Sequence, residues 1–335
     1  MSSMLDKTQQ QSGSNGASPQ PASGSGLQLV TTNPQAPRPG STVPDWPMKR
    51  ILEEAGELAA VPHVVLRLIQ MTNDPTVTAG DLEKVILTDQ AVAARVLALA
   101  NSAYFGLPRK VFFVREAVVF LGFKTVRNLA MTVNAINMFL GMSDTLSVAR
   151  GQLWHHSLDV ALASRKVAEY LHKSDRADLN SEEAFTAGLL HDIGKMVLDL
   201  AMPERYLTAV KLVNERGVRF ADIEDKLFPF SHAAVGAALA ETWNLPNVLC
   251  DVLRYHHDPI RAEVNPNMVA AVSLGNEITD YLSKLVDGPD QIAETATAIH
   301  NQACEMLCIR PDELPDLIIT CQGELEKGAT LHGCV

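Results

Sequence analysis

Residues 187–195 read Ala187-Gly188-Leu189-Leu190-His191-Asp192-Ile193-Gly194-Lys195. Small and apolar residues flank an adjacent imidazole and carboxylate, and a lysine follows one turn later. Helical neighbours point about 100° apart, so His191 and Asp192 ordinarily diverge; both reach one place only where the helix lies against others and faces a shared cleft. Imidazole nitrogen and carboxylate oxygen are the ligands a divalent first-row metal takes, and ligands from separate helices converge in a bundle core. Seven of the ten histidines fall between 155 and 257: His155, His156, His172, His191, His232, His256 and His257. That concentration around one His-Asp pair points to a metal cluster in which Asp192 could bridge two ions.

Outward from this stretch the periodicity is helical almost everywhere. Upstream, Leu153 to Ser157 opens a helix carrying Val160, Ala161, Ala168 and Leu171, and helical segments are predicted over 182–200, 204–215, 231–243, 246–256 and 267–284. Nearer the N-terminus, Asp89 can cap a helix with Val92, Val96, Leu97 and Leu99 inward, and Lys124 to Met138 reads as another, with Thr125 as cap. Val111-Phe112-Phe113-Val114 is the one strand-like piece and is too isolated to imply a sheet. A last helix around 289–307 and a short one near 312–326 close the chain. The expected fold is all-α, a two-lobed helical bundle: a tail over 1–45, a first lobe over 46–145, a second over 146–286 holding the His/Asp cluster, and a helical extension over 287–335.

Residues 1–44 hold eight Ser, five Gly and six Pro, with three charges and no aromatic residue, the composition of a disordered tether. The whole chain has 335 residues and is 47% hydrophobic, 20% charged and 5% aromatic, a globular balance with an aliphatic interior. Its net charge of -11 disfavours nonspecific nucleic-acid binding. Arg95, Arg109, Lys110, Arg115, Lys124 and Arg127 concentrate positive charge in the first lobe, either for an anionic partner or as solvated helix faces. No apolar run is long enough to span a bilayer, so an integral membrane protein is excluded. Five scattered cysteines without a secretory segment fit the cytoplasm. Cys304 and Cys308, one turn apart, read as two thiols on an amphipathic helix before they read as metal ligands.

The 187–195 stretch resembles the signature of the HD superfamily of metal-dependent phosphohydrolases. The rest of that pattern follows in order: His156-Ser157 upstream, His232 in Phe230 to Gly236, then Tyr255-His256-His257-Asp258-Pro259. The set is similar to the ligand series of the HD-GYP phosphodiesterases and of their relatives, the HDOD output domains. The Gly-Tyr-Pro element expected after the double histidine is absent, since Asp258-Pro259-Ile260-Arg261 stands there. Residues from Leu58 to Leu68, Leu82 to Asp89, Arg95 to Phe105 and Ala117 to Gly122 look like the N-terminal half of an HDOD domain, so the resemblance covers roughly 51–285. It implies one ion site of Asp192, His232, His256 and His257, and a second of His156, His191 and Asp192 with Asn276. The family's last ligand aspartate aligns with Asn276, and a neutral amide is a poorer ligand, so the second site is weakened. Iron, manganese or a similar divalent ion, one or two per chain, is the implied cofactor.

HDOD domains are regarded as regulatory modules that have lost hydrolysis. The resemblance therefore implies a bacterial signalling module that binds a protein partner or a nucleotide second messenger. The alternative is a phosphohydrolase acting on a nucleotide or cyclic dinucleotide, with Asp192 and Lys195 as catalytic residues and Lys195 steadying phosphate oxygens. The bland reading of Lys195 is a helix-end charge offsetting the dipole. His155 and His172 read as surface residues, and a polar core held by hydrogen bonds is the competing account of the whole cluster. Neither the partner nor the oligomeric state is legible.

Overall fold

The computed structural model describes residues 46–56, 67, 68, 71, 76–140, 145–285, 292 and 296–332. The expected tail over 1–45 lies outside the described residues. Chain entry is set at Pro47, whose φ of -65° leads into α1 (Met48–Glu54), with the Arg50 guanidinium 3.9 Å from the centre of the Trp46 ring. α1 packs on the later helices α8 (Ile193–Ala201) and α11 (His232–Thr242).

Among the described residues, four further helices build the first lobe: α2 (Ala79–Ile86), α3 (Gln90–Ala100), α4 (Val114–Leu121) and α5 (Phe123–Leu140). Thr78 and Asp81 cap α2 reciprocally, and Asp89 accepts from the Val92 amide at the start of α3, as its sequence predicts. Leu82, Ile86, Val92, Val96, Leu99, Ala117, Val126, Leu129 and Val133 meet in the core between them. Val111 to Val114 forms no strand. Asn101 offers its side-chain amide to both Val111 backbone groups at 2.8 Å, standing in for a strand partner, and Phe112 and Phe113 are left exposed. Nor does Thr125 cap α5: Gly122 turns the chain with φ 86°, a conformation only glycine adopts easily, and the helix begins at Phe123. The basic residues of this lobe divide: Arg109 pairs with Glu116, Arg115 with Glu83, and Arg127 is buried against Asn128.

α6 (Ser147–Lys173) is the axis of the molecule, about 40 Å long at 1.5 Å per residue. It starts before Leu153, at Ser147, where Arg150 is buried against Asp199, and it buries Leu153, Trp154, Leu158, Ala161, Leu162 and Val167. Against it pack α5 from the first lobe, α7 (Ser181–Leu190), α13 (Pro266–Lys284) and α15 (Leu314–His332). α9 (Pro203–Arg216), the short α10 (Glu224–Leu227) and α12 (Asn247–Tyr255) fill the second lobe with α8 and α11. The C-terminal expectation is inverted: α14 (Gln302–Met306) is short and α15 is long. Cys304 lies buried in α14, whereas Cys308 is exposed beyond its end with φ 54°, so the two do not share a helix face. Among the described residues there is no strand, and no helix is long and apolar enough to cross a membrane.

Candidate metal centre

The predicted helix over 182–200 is two helices, and the break falls on the His-Asp pair. α7 ends at Leu190; His191 keeps helical angles, Asp192 swings to φ -103° and ψ 10°, and α8 starts at Ile193. The kink defeats the divergence expected of helical neighbours, so both side chains face one cleft. Packing there leaves no room for side chains: a Cβ on Gly188 would lie 2.8 Å from the Ala161 Cα, and one on Gly194 would strike the His232 carbonyl at 1.9 Å. Glycine at 188 and 194 lets α7 approach α6 and α8 approach α11, and each approach carries a histidine toward Asp192.

The remaining candidate ligands come from helix ends and from α6. His232 opens α11, capped by Ser231, and its Nε2 lies 3.2 Å from Asp192 Oδ1. His256 follows α12 directly, with Nε2 3.7 Å from the same oxygen. His257, more exposed, places its Nε2 3.2 Å from that of His232. Across the carboxylate, Asp192 Oδ2 faces His191 Nε2 at 3.3 Å and His156 Nε2 at 3.7 Å. The ligand atoms of Asp192, His232, His256 and His257 lie within 4.8 Å of one another, as do those of His156, His191 and Asp192. All six expected ligand residues come together, and His155 and His172 stay outside on the surface; His172 meets Asp178 at 3.3 Å.

Orientation argues for a cation. His191 Nδ1 meets the Gly188 carbonyl at 2.7 Å, His256 Nδ1 the Leu253 carbonyl at 3.1 Å, and His232 Nδ1 the Glu224 carboxylate at 2.7 Å. Each acceptor holds its proton on Nδ1 and turns the Nε2 lone pair inward. Lone pairs of His232 and His256 then face each other at 3.3 Å, an arrangement that needs a proton or a metal ion between them. Among the described residues, His191 Nε2 and Asp192 Oδ1 are buried without a hydrogen-bond partner. Nitrogen and carboxylate donors so placed fit a divalent first-row ion.

Electrostatics agree. Burial alone would raise the Asp192 pKa, yet His191 and Lys195 hold it well below the carboxylate range. Burial lowers His232 too, but Glu224 and Asp192 outweigh it and push its pKa up to about 9. His256 is held well below its usual value by burial and by His257, and His156 falls to about 4 through burial and His191. The site thus combines a fixed carboxylate, neutral imidazoles and one histidine whose proton occupies the place of a cation.

Lys195 is the third residue of α8, where a positive charge opposes the helix dipole, so the dipole account of this lysine fails. Its Nζ lies 2.5 Å from Asp192 Oδ2, and it lines a cavity of about 380 Å³ beside the cluster. His156, His257, Asn276 and Asp280 also line that cavity; Tyr206 and Phe220 supply aromatic wall, and Arg219 and Lys284 further positive charge. Two carboxylates escaped the sequence reading. Glu224, eight residues before His232, stands among Asp222 and Asp225 with nothing to single it out, and only the turn of α10 brings it under His232. Asp280, whose Oδ1 is 3.8 Å from His156 Nδ1, had a signal: it lies one helical turn beyond Asn276.

Similarity to known proteins runs the same way. The chain is 27% identical over 233 residues to an uncharacterized protein of Treponema pallidum (strain Nichols), a match covering 69% of this chain and 44% of that one, so the chain spans less than half of that relative's length. A solved HDOD domain protein of unknown function from Geobacter sulfurreducens is 29% identical, with TM-score 0.65 over 85% of this chain and 96% of its own. A candidate phosphohydrolase from Shewanella amazonensis SB2B shares the fold at 24% identity, with TM-score 0.65 over 84% of this chain and 98% of its own. The HDOD domain profile matches residues 58–259, more than half of the sequence and within the 51–285 span that its motifs suggest. With the all-helical architecture and the His/Asp cluster in place, the chain belongs to the HDOD domain family.

Proposed function

We propose that the protein is a regulatory module of bacterial signal transduction. In this reading it holds a divalent cation on Asp192, His232, His256 and His257 and receives a phosphorylated nucleotide messenger in the adjoining cavity. The observation that carries the reading is the set of inward Nε2 atoms fixed by Glu224 and backbone carbonyls around one charged carboxylate. A bound ion would supply Lewis-acid polarisation of a phosphoryl oxygen. Lys195 and Arg219 give the cavity cationic donors for the remaining phosphate oxygens, and Phe220 and Tyr206 give it flat apolar wall. Ligand state would pass through α7, which runs from the first lobe's α5 to His191, to a protein partner. The described cysteines are unpaired, in keeping with a cytoplasmic setting.

Metal analysis of protein purified without chelator, followed by calorimetry with mono- and cyclic dinucleotides, tests this reading. About one or two transition ions per chain and saturable nucleotide binding without turnover are expected. Fewer than one ion, unchanged by adding iron or manganese, would sink it.

A second reading, slow phosphohydrolysis, is favoured by one observation: His156, His191 and Asp192 converge as a second ligand set, with Lys195 beside the cavity. In it Lys195 neutralises charge developing on the phosphate oxygens and Asp192 is shared between the two ligand sets. Sustained phosphate release that Lys195→Ala abolishes would decide for it.

A further inference from the structure

We propose that Asp280 is the positioning carboxylate of a second cation site, formed by His156, His191 and Asp192 with the amide oxygen of Asn276. The proposal rests on the metal reading above and deepens it.

The starting point is charge. Two divalent ions sharing Asp192 would have one carboxylate between them as a direct ligand, which leaves a large uncompensated positive charge in a buried site. On the first ligand set, Glu224 supplies a further negative charge through His232. Within the second set no acid other than Asp192 is a ligand. Asn276 is buried, and among the described residues its Oδ1 has no hydrogen-bond partner, which suits a neutral oxygen ligand but adds no charge.

Asp280 supplies what is missing. It lies one turn from Asn276 on α13, so the two share a helix face, and both line the cavity with His156. The His156 ring is held between carboxylates, with Nδ1 3.8 Å from Asp280 Oδ1 and Nε2 3.7 Å from Asp192 Oδ2. At 3.8 Å Asp280 Oδ1 is in ion-pair range of His156 Nδ1 and not in hydrogen-bond contact; closing that gap on ion binding would hold a proton on Nδ1 and direct the Nε2 lone pair at the ion position, as Glu224 does for His232 at 2.7 Å. At 37% side-chain exposure, Asp280 can be changed without opening the core.

The test is Co²⁺ titration of the full-length, metal-stripped chain, followed by visible absorption and calorimetry. The native protein should take up two ions in separable steps. Asp280→Asn should leave the first step within about twofold and weaken the second by roughly 10- to 100-fold. Asp280→Glu should restore it, and thermal unfolding of the apo variant should match the native chain. Asn276→Asp should tighten the second step even without Asp280. An Asp280→Asn protein that keeps both steps, or loses both equally, overturns the proposal. One step in the native chain also overturns it while leaving the first cation site standing, whereas no uptake at all removes the metal reading itself.

Discussion

Asp192 carries a full charge where burial opposes it, and the imidazoles and ammonium around it set the terms for any ligand. Its strongest competitor for a cation is the proton on His232, whose pKa is raised to about 9. A metal ion must displace that proton. The apparent affinity for Mn²⁺ or Co²⁺ should therefore rise about tenfold per pH unit from pH 6 and level off near pH 9, with about one proton released per ion. Calorimetry in buffers of different ionisation enthalpy measures both quantities; an affinity flat over this range would show that His232 is not a ligand. Glu224→Gln should lower the affinity by about 10- to 100-fold, because the imidazole loses its orienting carboxylate, and should shift the pH dependence to lower pH as the His232 proton is held less tightly.

Between α7 and α8 the element boundary itself makes the site. A continuous helix over 182–200, the reading its periodicity favours, would aim His191 and Asp192 apart; the turn at Asp192 aims them together. Periodicity cannot show this, since both halves are rich in buried apolar residues and the break is a local change in φ and ψ at Asp192. The close crossing of α8 and α11 depends on Gly194 in the same way. Gly194→Ala should destabilise the fold by about 1 to 3 kcal/mol through overpacking and should weaken cation binding by moving His232 away from Asp192. Denaturant unfolding and metal titration of that variant measure the two effects separately; unchanged values in both would contradict the crossing geometry.

Across the whole molecule, the lobes and the C-terminal helix are tied by one polar knot. Arg165 on α6 bonds Glu324 on α15 at 2.6 Å, and Tyr104 from the first lobe bonds both. Burial would raise the Glu324 pKa, but Tyr104 and Arg165 hold it below its usual 4.5. A depressed carboxylate pKa stabilises the fold above its unfolded value, and that stability is lost as pH falls through the folded one. The melting temperature should thus fall below about pH 4.5, and Glu324→Gln should cost about 3 kcal/mol at pH 7 while flattening this acid limb. Differential scanning calorimetry between pH 3 and 7 measures both, and an acid limb unchanged in the variant would remove Glu324 as its cause.

The sequence by itself determined the all-helical class, the family and the six residues that converge at the cluster, because each rests on local period or on residue types at ordered positions. It also singled out Asn276, which stands where the resemblance places a ligand aspartate. Only the tertiary structure decided how these residues meet. The kink at Asp192, the Asn101 amide that replaces a strand partner, the place of Glu224 beneath His232 and that of Asp280 beside His156 all depend on chain segments brought together by packing. Carboxylates that act through a histidine carry no spacing rule, since their distance in sequence is set by whichever helix happens to pass behind the ring.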